Sequence, residues 1–326
     1  ITNIIIKSKI TNQKGTFKDL KVKLKPAQFT FEGKPIFVSA DLSNFNDLSY
    51  DIKAKGELNI SRIYKVFSQK GLDLDGFVKA DLVLKGKQSD AEKGNYSKLY
   101  NKGILELRNI GIASEYLPKK FIIKEGIFKI NQDKMSFNNF LAGYGESDFT
   151  MNGYLQNVFN YATTNTGVLK GSFKLASRYI NVDEFMSSTP VNTSATETKT
   201  GTPTSKADAK QTGVIIIPTN LNLQFTANVQ KVNFDKLNLQ NAVGNLNVNK
   251  GKLSMQNTGF NLIGCNVAMN ANYQSITPQK ANFDYSIKAS DFDIKRAYNE
   301  VEVFRKMASA AEKAQGIVSL DYQLKG

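Results

Sequence analysis

Strict alternation of apolar and polar residues dominates this chain. Leu221, Leu223, Phe225, Ala227 and Val229 alternate with Asn222, Gln224, Thr226, Asn228 and Gln230. Val267, Met269, Ala271 and Tyr273 are separated by Ala268, Asn270 and Asn272. Phe283, Tyr285, Ile287 and Ala289 form the same pattern, as do Val318, Leu320, Tyr322 and Leu324. A period of two puts alternate side chains on opposite faces of a strand, so each segment predicts a half-buried β-strand with one dry and one wet face. That is the signature of antiparallel sheets. Turn residues separate the segments at Glu32-Gly33-Lys34-Pro35, Gly143-Tyr144-Gly145, Asn249-Lys250-Gly251 and Thr277-Pro278. Two stretches depart from the period and predict helices, near 61–70 and near 295–315. Ser61 is the candidate N-cap of the first. Tyr298, Val301, Phe304 and Ala308 supply an apolar side to the second.

The segments recur. Tyr50 to Tyr64 reappears as Tyr285 to Tyr298, and each copy passes through a predicted helix to a similar ending, Gly76 to Gly86 and Gly316 to Gly326. A fainter copy runs from Phe173 to Phe185. A second match sets Lys134-Met-Ser-Phe-Asn-Asn-Phe140 beside Lys252-Leu-Ser-Met-Gln-Asn-Thr-Gly-Phe260. Together these predict a unit of about 120 residues, a strand meander with one helical slot. Residues 187–213 are rich in Ser, Thr and Pro, have almost nothing to bury, and are expected to be a disordered insertion in the slot that holds a helix in the other two units. The expected organisation is therefore a β-repeat region over 1–186, the insertion, and a second β-repeat region over 214–326, forming one continuous array. A linker between independent domains is the alternative.

Composition narrows the function. The chain has no histidine and one cysteine, so the commonest general base and metal ligand is missing and no internal disulfide can form. No phosphate loop, dinucleotide fingerprint, zinc spacing or nucleophile elbow is present. The carboxylate pair Asp183-Glu184 is read as a chance neighbour on a charged surface. We therefore expect no enzyme, no cofactor and no metal. The net charge is +14, yet the lysines alternate along strands, as at Lys21, Lys23 and Lys25, and no recognition helix accompanies them; nucleic acid is not an expected partner. The apolar runs Ile4 to Ile6 and Ile215 to Ile217 are too short to span a bilayer.

The run from Gly126 to Gly153, its echo from Gly244 to Tyr273, the segment Leu169 to Phe185 and the ending Ile317-Val-Ser-Leu-Asp-Tyr-Gln-Leu-Lys-Gly326 resemble the AsmA-like family of bacterial envelope proteins, of the AsmA, TamB and YhdP type. The resemblance implies a mainly β, elongated, antiparallel repeating β-groove, taco-like, with a short helix per repeat. It also implies a periplasmic location, with anchoring to the inner membrane through a segment outside this sequence. The implied work is non-enzymatic: moving phospholipid or another membrane lipid to the outer membrane, or maintaining that membrane, with membranes and other envelope proteins as partners. Leu221, Leu223, Phe225, Val229, Val267, Met269, Tyr285, Ile287, Leu320 and Tyr322 are the candidate lipid-lining residues. The same alternation also fits closed β-sandwich domains. A scaffold or chaperone for outer-membrane protein assembly, and a surface adhesin or glycan binder, are the alternative functions.

Overall fold

The computed structural model describes residues 6–61, 72–114, 117–163, 166–186, 188–189, 210–211 and 214–326. They are mainly β. The strands are β1 (Ser8–Thr11), β2 (Lys21–Phe31), β3 (Lys34–Ser43), β4 (Ser49–Asn59), β5 (Leu72–Lys87), β6 (Lys102–Ser114), β7 (Phe121–Asn131), β8 (Lys134–Tyr144), β9 (Ser147–Gln156) and β10 (Leu169–Asn181). After a short pair, β11 (Ser188–Thr189) and β12 (Lys210–Gln211), come β13 (Leu221–Phe234), β14 (Leu237–Asn249), β15 (Lys252–Leu262), β16 (Cys265–Thr277), β17 (Lys280–Asp293) and β18 (Ile317–Lys325). All except β11 and β12 join one 16-stranded sheet in chain order. Its outer strands, β1 and β18, each have a single neighbour, so the sheet is open and is not the facing pair of a closed sandwich. Tight turns keep the order sequential. Glu32-Gly33 and Lys250-Gly251 both take two consecutive positive φ angles, the conformation whose twist suits a two-residue hairpin.

The sheet bends because its strands carry bulges. Asn139, Asn257 and Asp291 have φ of 52°, 50° and 59°, and the ladder slips one register beside each of them. Asn and Asp tolerate the left-handed region better than bulkier side chains. The extra residue bends the strand and tightens its twist. Backbone groups left out of the ladder are satisfied by the neighbouring strand: Asn139 N donates to Asn152 Oδ1 at 2.7 Å, and Asn257 N donates to Asn270 Oδ1 at 3.0 Å.

One joint departs from the expected antiparallel pattern. β10 and β13 run parallel, from Leu169 beside Leu221 to Asn181 beside Asn233. A parallel pair needs a crossover that carries the chain back along the strand, and residues 182–220 are that crossover. The strands on either side of the expected insertion thus pair parallel, whereas β4 with β5 and β17 with β18 pair antiparallel. Apart from β11 and β12, that segment lies outside the described residues. So does the helix expected near 61–70, except for Ser61. There the accepting side chain is Asn59, whose Oδ1 takes bonds from Ser61 N at 3.0 Å and Ser61 Oγ at 2.6 Å. The helix expected over 295–315 is three pieces, Ile294–Glu300, Glu302–Met307 and a 3-10 turn Ser309–Lys313. Val301 and Ala308, read as members of one apolar stripe, are non-helical corners at which the chain folds back and buries Ala297 and Val301.

Carboxylates fasten the strand ends around the parallel joint. Asp183 accepts from Asp235 N at 3.0 Å and Asn233 Nδ2 at 3.2 Å, tying the end of β10 to the β13–β14 turn. Buried Glu184 accepts from Glu146 N and from Lys119 Nζ at 2.7 Å. The Asp183-Glu184 pair is thus a structural clamp. Tyr144, fully buried and stacked on Phe185 at 4.3 Å, accepts from Lys119 N and donates to Glu184 O. Its burial pushes the phenol up, so it keeps the proton it donates. Asp148 accepts from Ser177 Oγ, Arg178 N, Tyr179 N and Arg178 Nε. Burial acts to raise its pKa, but those bonds outweigh it and hold the carboxyl at about 2. A depressed carboxyl contributes stability above its unfolded pKa of about 4 and loses it as pH falls through about 2. The stability advantage of the wild-type protein over Asp148→Asn, read from urea midpoints, should be full at pH 5 to 7 and shrink between those two limits.

Candidate functional site

Register pairing places one residue from each strand in a row that crosses the sheet at right angles to the strands. From β2 to β18 that row is Phe29, Ile36, Gly56, Ala80, Leu105, Phe128, Phe137, Gly153, Phe173, Phe225, Leu246, Met255, Ala271, Tyr285 and Leu324. Every member is apolar, tyrosine or glycine. The neighbouring row on the same face, from Ala27 and Val38 through Leu82, Ile130, Met135, Leu155, Leu223, Val248 and Leu253 to Tyr273 and Phe283, contains no charged residue either. With strands about 4.8 Å apart, each row is an apolar track about 70 Å long.

Burial identifies the face that bears these rows as the concave one. On β7, Phe128 is 5% exposed while its neighbour Ile127, on the opposite face, is 45% exposed. No second layer covers Phe128 among the described strands; the side chains of its own face do so as the sheet curves. The centre is packed shut by rings. Phe128, Phe137, Phe140 and Phe173 are buried together, and ring contacts run from Phe128 to Phe137 at 5.1 Å, on to Phe173 at 5.6 Å, and across the parallel joint to Phe225 at 5.0 Å. The convex face carries cross-strand ion pairs, such as Lys55–Asp81 at 2.7 Å and Lys79–Glu106 at 3.0 Å, beside exposed apolar side chains such as Ile104 and Ile127.

All ten predicted lining residues lie on the concave face. Phe225 and Tyr285 belong to the first row and Leu223 to the second. Met269, Ile287 and Tyr322 are register partners, Val267 and Leu320 flank Ala289, and Leu221 pairs with Leu169. Their environments differ. Leu221, Leu223, Phe225, Met269, Tyr285, Ile287 and Tyr322 are half-buried, Leu320 on the edge strand is exposed, and Val229 and Val267 are buried. Val267 packs with Cys265, Ala289, Phe292 and Ala297 beneath the helical segment that follows β17, and Phe304 leans on this cluster. Lys236 reaches Glu302 at 3.1 Å, tying that segment to the β13–β14 turn. Across the opposite strand ends, Ile215 N donates to Tyr273 Oη at 2.8 Å and Ile217 N to Ser275 Oγ at 3.0 Å. The apolar face over β13–β17 is thus bordered by the helical segment at one set of strand ends and by the chain entering β13 at the other. Between them a half-buried apolar floor remains.

Sequence reasoning missed the phenylalanine cluster, and the bulges explain why. Phe137 and Phe140 are three residues apart, so a period of two assigns them to opposite faces. The left-handed Asn139 between them adds a residue and turns both inward, with rings 5.4 Å apart. Ala289 and Phe292, around Asp291, show the same spacing and are both buried. An Asn or Asp inside an apolar pair spaced i, i+3 is the signal that could have found them.

Cys265 is buried and unpaired in any disulfide; its Sγ donates to Leu262 O at 3.0 Å, and burial pushes the thiol up. Among the described residues no group of three or more potential metal ligands comes together, and no helix is long and apolar enough to cross a membrane. Compared with protein families, characterised proteins and solved structures, the chain matches none.

Truncating a ring in the packed centre should cost far more than truncating its convex neighbour. Phe128→Ala should lower stability by about 3–5 kcal/mol and Ile127→Ala by about 1 kcal/mol or less, as measured by urea unfolding. Equal losses would mean the two faces are equally covered.

Proposed function

We propose that this chain is a non-enzymatic lipid-carrying segment whose concave face holds the acyl chains of phospholipid or a related membrane lipid. The observation that carries the proposal is the unbroken apolar track along the concave side. A lipid in water exposes its chains at a cost of about 0.8 kcal/mol per methylene. A groove lined by alternate strand residues removes that cost wherever its floor stays open and leaves the headgroup in water. Half-buried side chains such as Met269, Tyr285 and Tyr322, and Phe225 at the margin of the packed centre, still have surface to offer a guest, unlike the closed centre around Phe137.

The groove is best understood as a repeating one. The bulge bonds Asn139 to Asn152 and Asn257 to Asn270 occupy matching places in the two halves, within the runs that begin Lys134-Met-Ser and Lys252-Leu-Ser. A repeated curved unit extends a track without changing its cross-section, which suits a path for lipid rather than a pocket for one substrate. This architecture and the resemblance to the AsmA-like family lead us to assign the chain to a membrane-anchored periplasmic protein that moves phospholipid towards, or maintains, the outer membrane.

Native mass spectrometry of the purified protein, with lipid extraction, tests the proposal. Phospholipid should co-purify at a near-stoichiometric or higher ratio. Phe225→Glu places a charge on the floor of the groove and should lower loading by about tenfold or more, since burying an unpaired carboxylate costs well over the 1.4 kcal/mol that a tenfold change represents. A folded Phe225→Glu protein with unchanged loading would remove Phe225 from the site, and a wild-type protein free of lipid would sink the proposal.

A further inference from the structure

Register brings four lysines into a row along one edge of the sheet. Lys102 on β6, Lys134 on β8, Lys170 on β10 and Lys252 on β15 stand in one row, immediately outside the second apolar row at the lower lip. Between these lysines the row holds only asparagine and glutamine, and all four are exposed. Where lysines are two strands apart they lie about 10 Å from each other. Lys250 and Lys280 add charge at the turns of the same lip. Elsewhere on the convex face some lysines face a cross-strand carboxylate, as at Lys55–Asp81 and Lys79–Glu106. Asp133, in the β7–β8 turn beside this row, is turned inward at 8% exposure and accepts from Asn157 N, with Lys170 close enough to act on its charge.

This lip also exposes large apolar side chains. Phe17, in the loop between β1 and β2, is 71% exposed; Tyr100, just before β6, is 52% exposed; Ile276, at the end of β16, is 50% exposed. Lys102 Nζ sits over the Tyr100 ring at 4.6 Å. Aromatic and apolar tips set among exposed lysines are the chemistry of a membrane–water interface, where cations meet anionic headgroups and apolar tips enter the boundary below them.

We infer that the lower lip is a docking edge for an anionic lipid bilayer surface. This deepens the lipid-carrying reading by stating which edge of the groove meets the membrane. Charge complementarity supplies the attraction, and the apolar track begins one residue above the contact.

Vesicle co-sedimentation with the full chain tests the inference. One set of vesicles is phosphatidylcholine alone and the other contains phosphatidylglycerol as well. The wild-type protein should prefer the anionic vesicles, with binding that weakens as salt rises. Each lysine near the surface contributes roughly fivefold. Lys102→Gln, Lys134→Gln, Lys170→Gln and Lys252→Gln combined should therefore cost at least about tenfold. The control set Lys23→Gln, Lys55→Gln, Lys79→Gln and Lys288→Gln removes the same charge from paired convex positions and should change binding by about twofold or less. Equal loss in both sets would reduce the effect to net charge and overturn the assignment, as would equal binding to the two kinds of vesicle. Lipid loading is read on the same proteins. A protein that carries lipid but does not dock overturns this inference alone; one that docks but carries no lipid overturns the groove reading alone.

Discussion

A single-layer sheet with one apolar face must cover that face with itself or leave it wet. Backbone pairing commits this chain to such a layer, because among the described residues all strands but β11 and β12 join in order into one sheet. The hydrophobic effect then favours curvature towards the apolar side, at roughly 25 cal/mol for each Å² removed from water. Phe128 and Ile127 record the outcome, one closed in by its own face and the other half exposed on the back. Every other feature of the fold accommodates this bend or exploits it.

The accommodation is local and polar. Left-handed Asn and Asp residues set the bulges, and amide side chains on the next strand take up the backbone groups that the bulges release. Where the chain reverses its pairing at β10 and β13, a parallel backbone ladder joins the strands, Asp183 ties the end of β10 to the β13–β14 turn, and Glu184 and Asp148 fasten β10 to the elements on its other side. Glu184, Asp183 and Asp148 each accept several donors from neighbouring elements. The phenylalanine chain from Phe128 to Phe225 crosses the same joint on the concave side. The backbone ladder, polar clamps at the strand ends and aromatic packing on the floor together make the two halves one sheet.

The same geometry divides labour along the groove. The centre, filled by rings, contributes rigidity. The stretch over β13–β17 keeps a half-buried floor between a helical segment on one lip and the entering strand on the other. The proposed lipid-carrying role draws on that second stretch, and the proposed docking edge draws on the lysine row of the lower lip.

Alternation by itself determined a great deal. It fixed which side chains share a face within each strand, and Leu223, Phe225, Met269, Tyr285 and Ile287 stand together on the concave face as it requires, because a period of two has no other solution in an extended chain. Turn residues such as Glu32-Gly33 and Lys250-Gly251 were legible for the same local reason, through the φ angles they favour. What alternation could not supply is whatever depends on a neighbour distant in sequence. Register between strands brought Lys102, Lys134, Lys170 and Lys252 into one row. Bulges put Phe137 and Phe140 on the same side against the period. The strands on either side of the expected insertion, β10 and β13, paired parallel, and packing against Val267 and Phe292 folded an apparent single helix into three pieces. These were decided by the tertiary structure, because register, curvature and packing are settled by pairing across the sheet, and no stretch of sequence carries its partner's position.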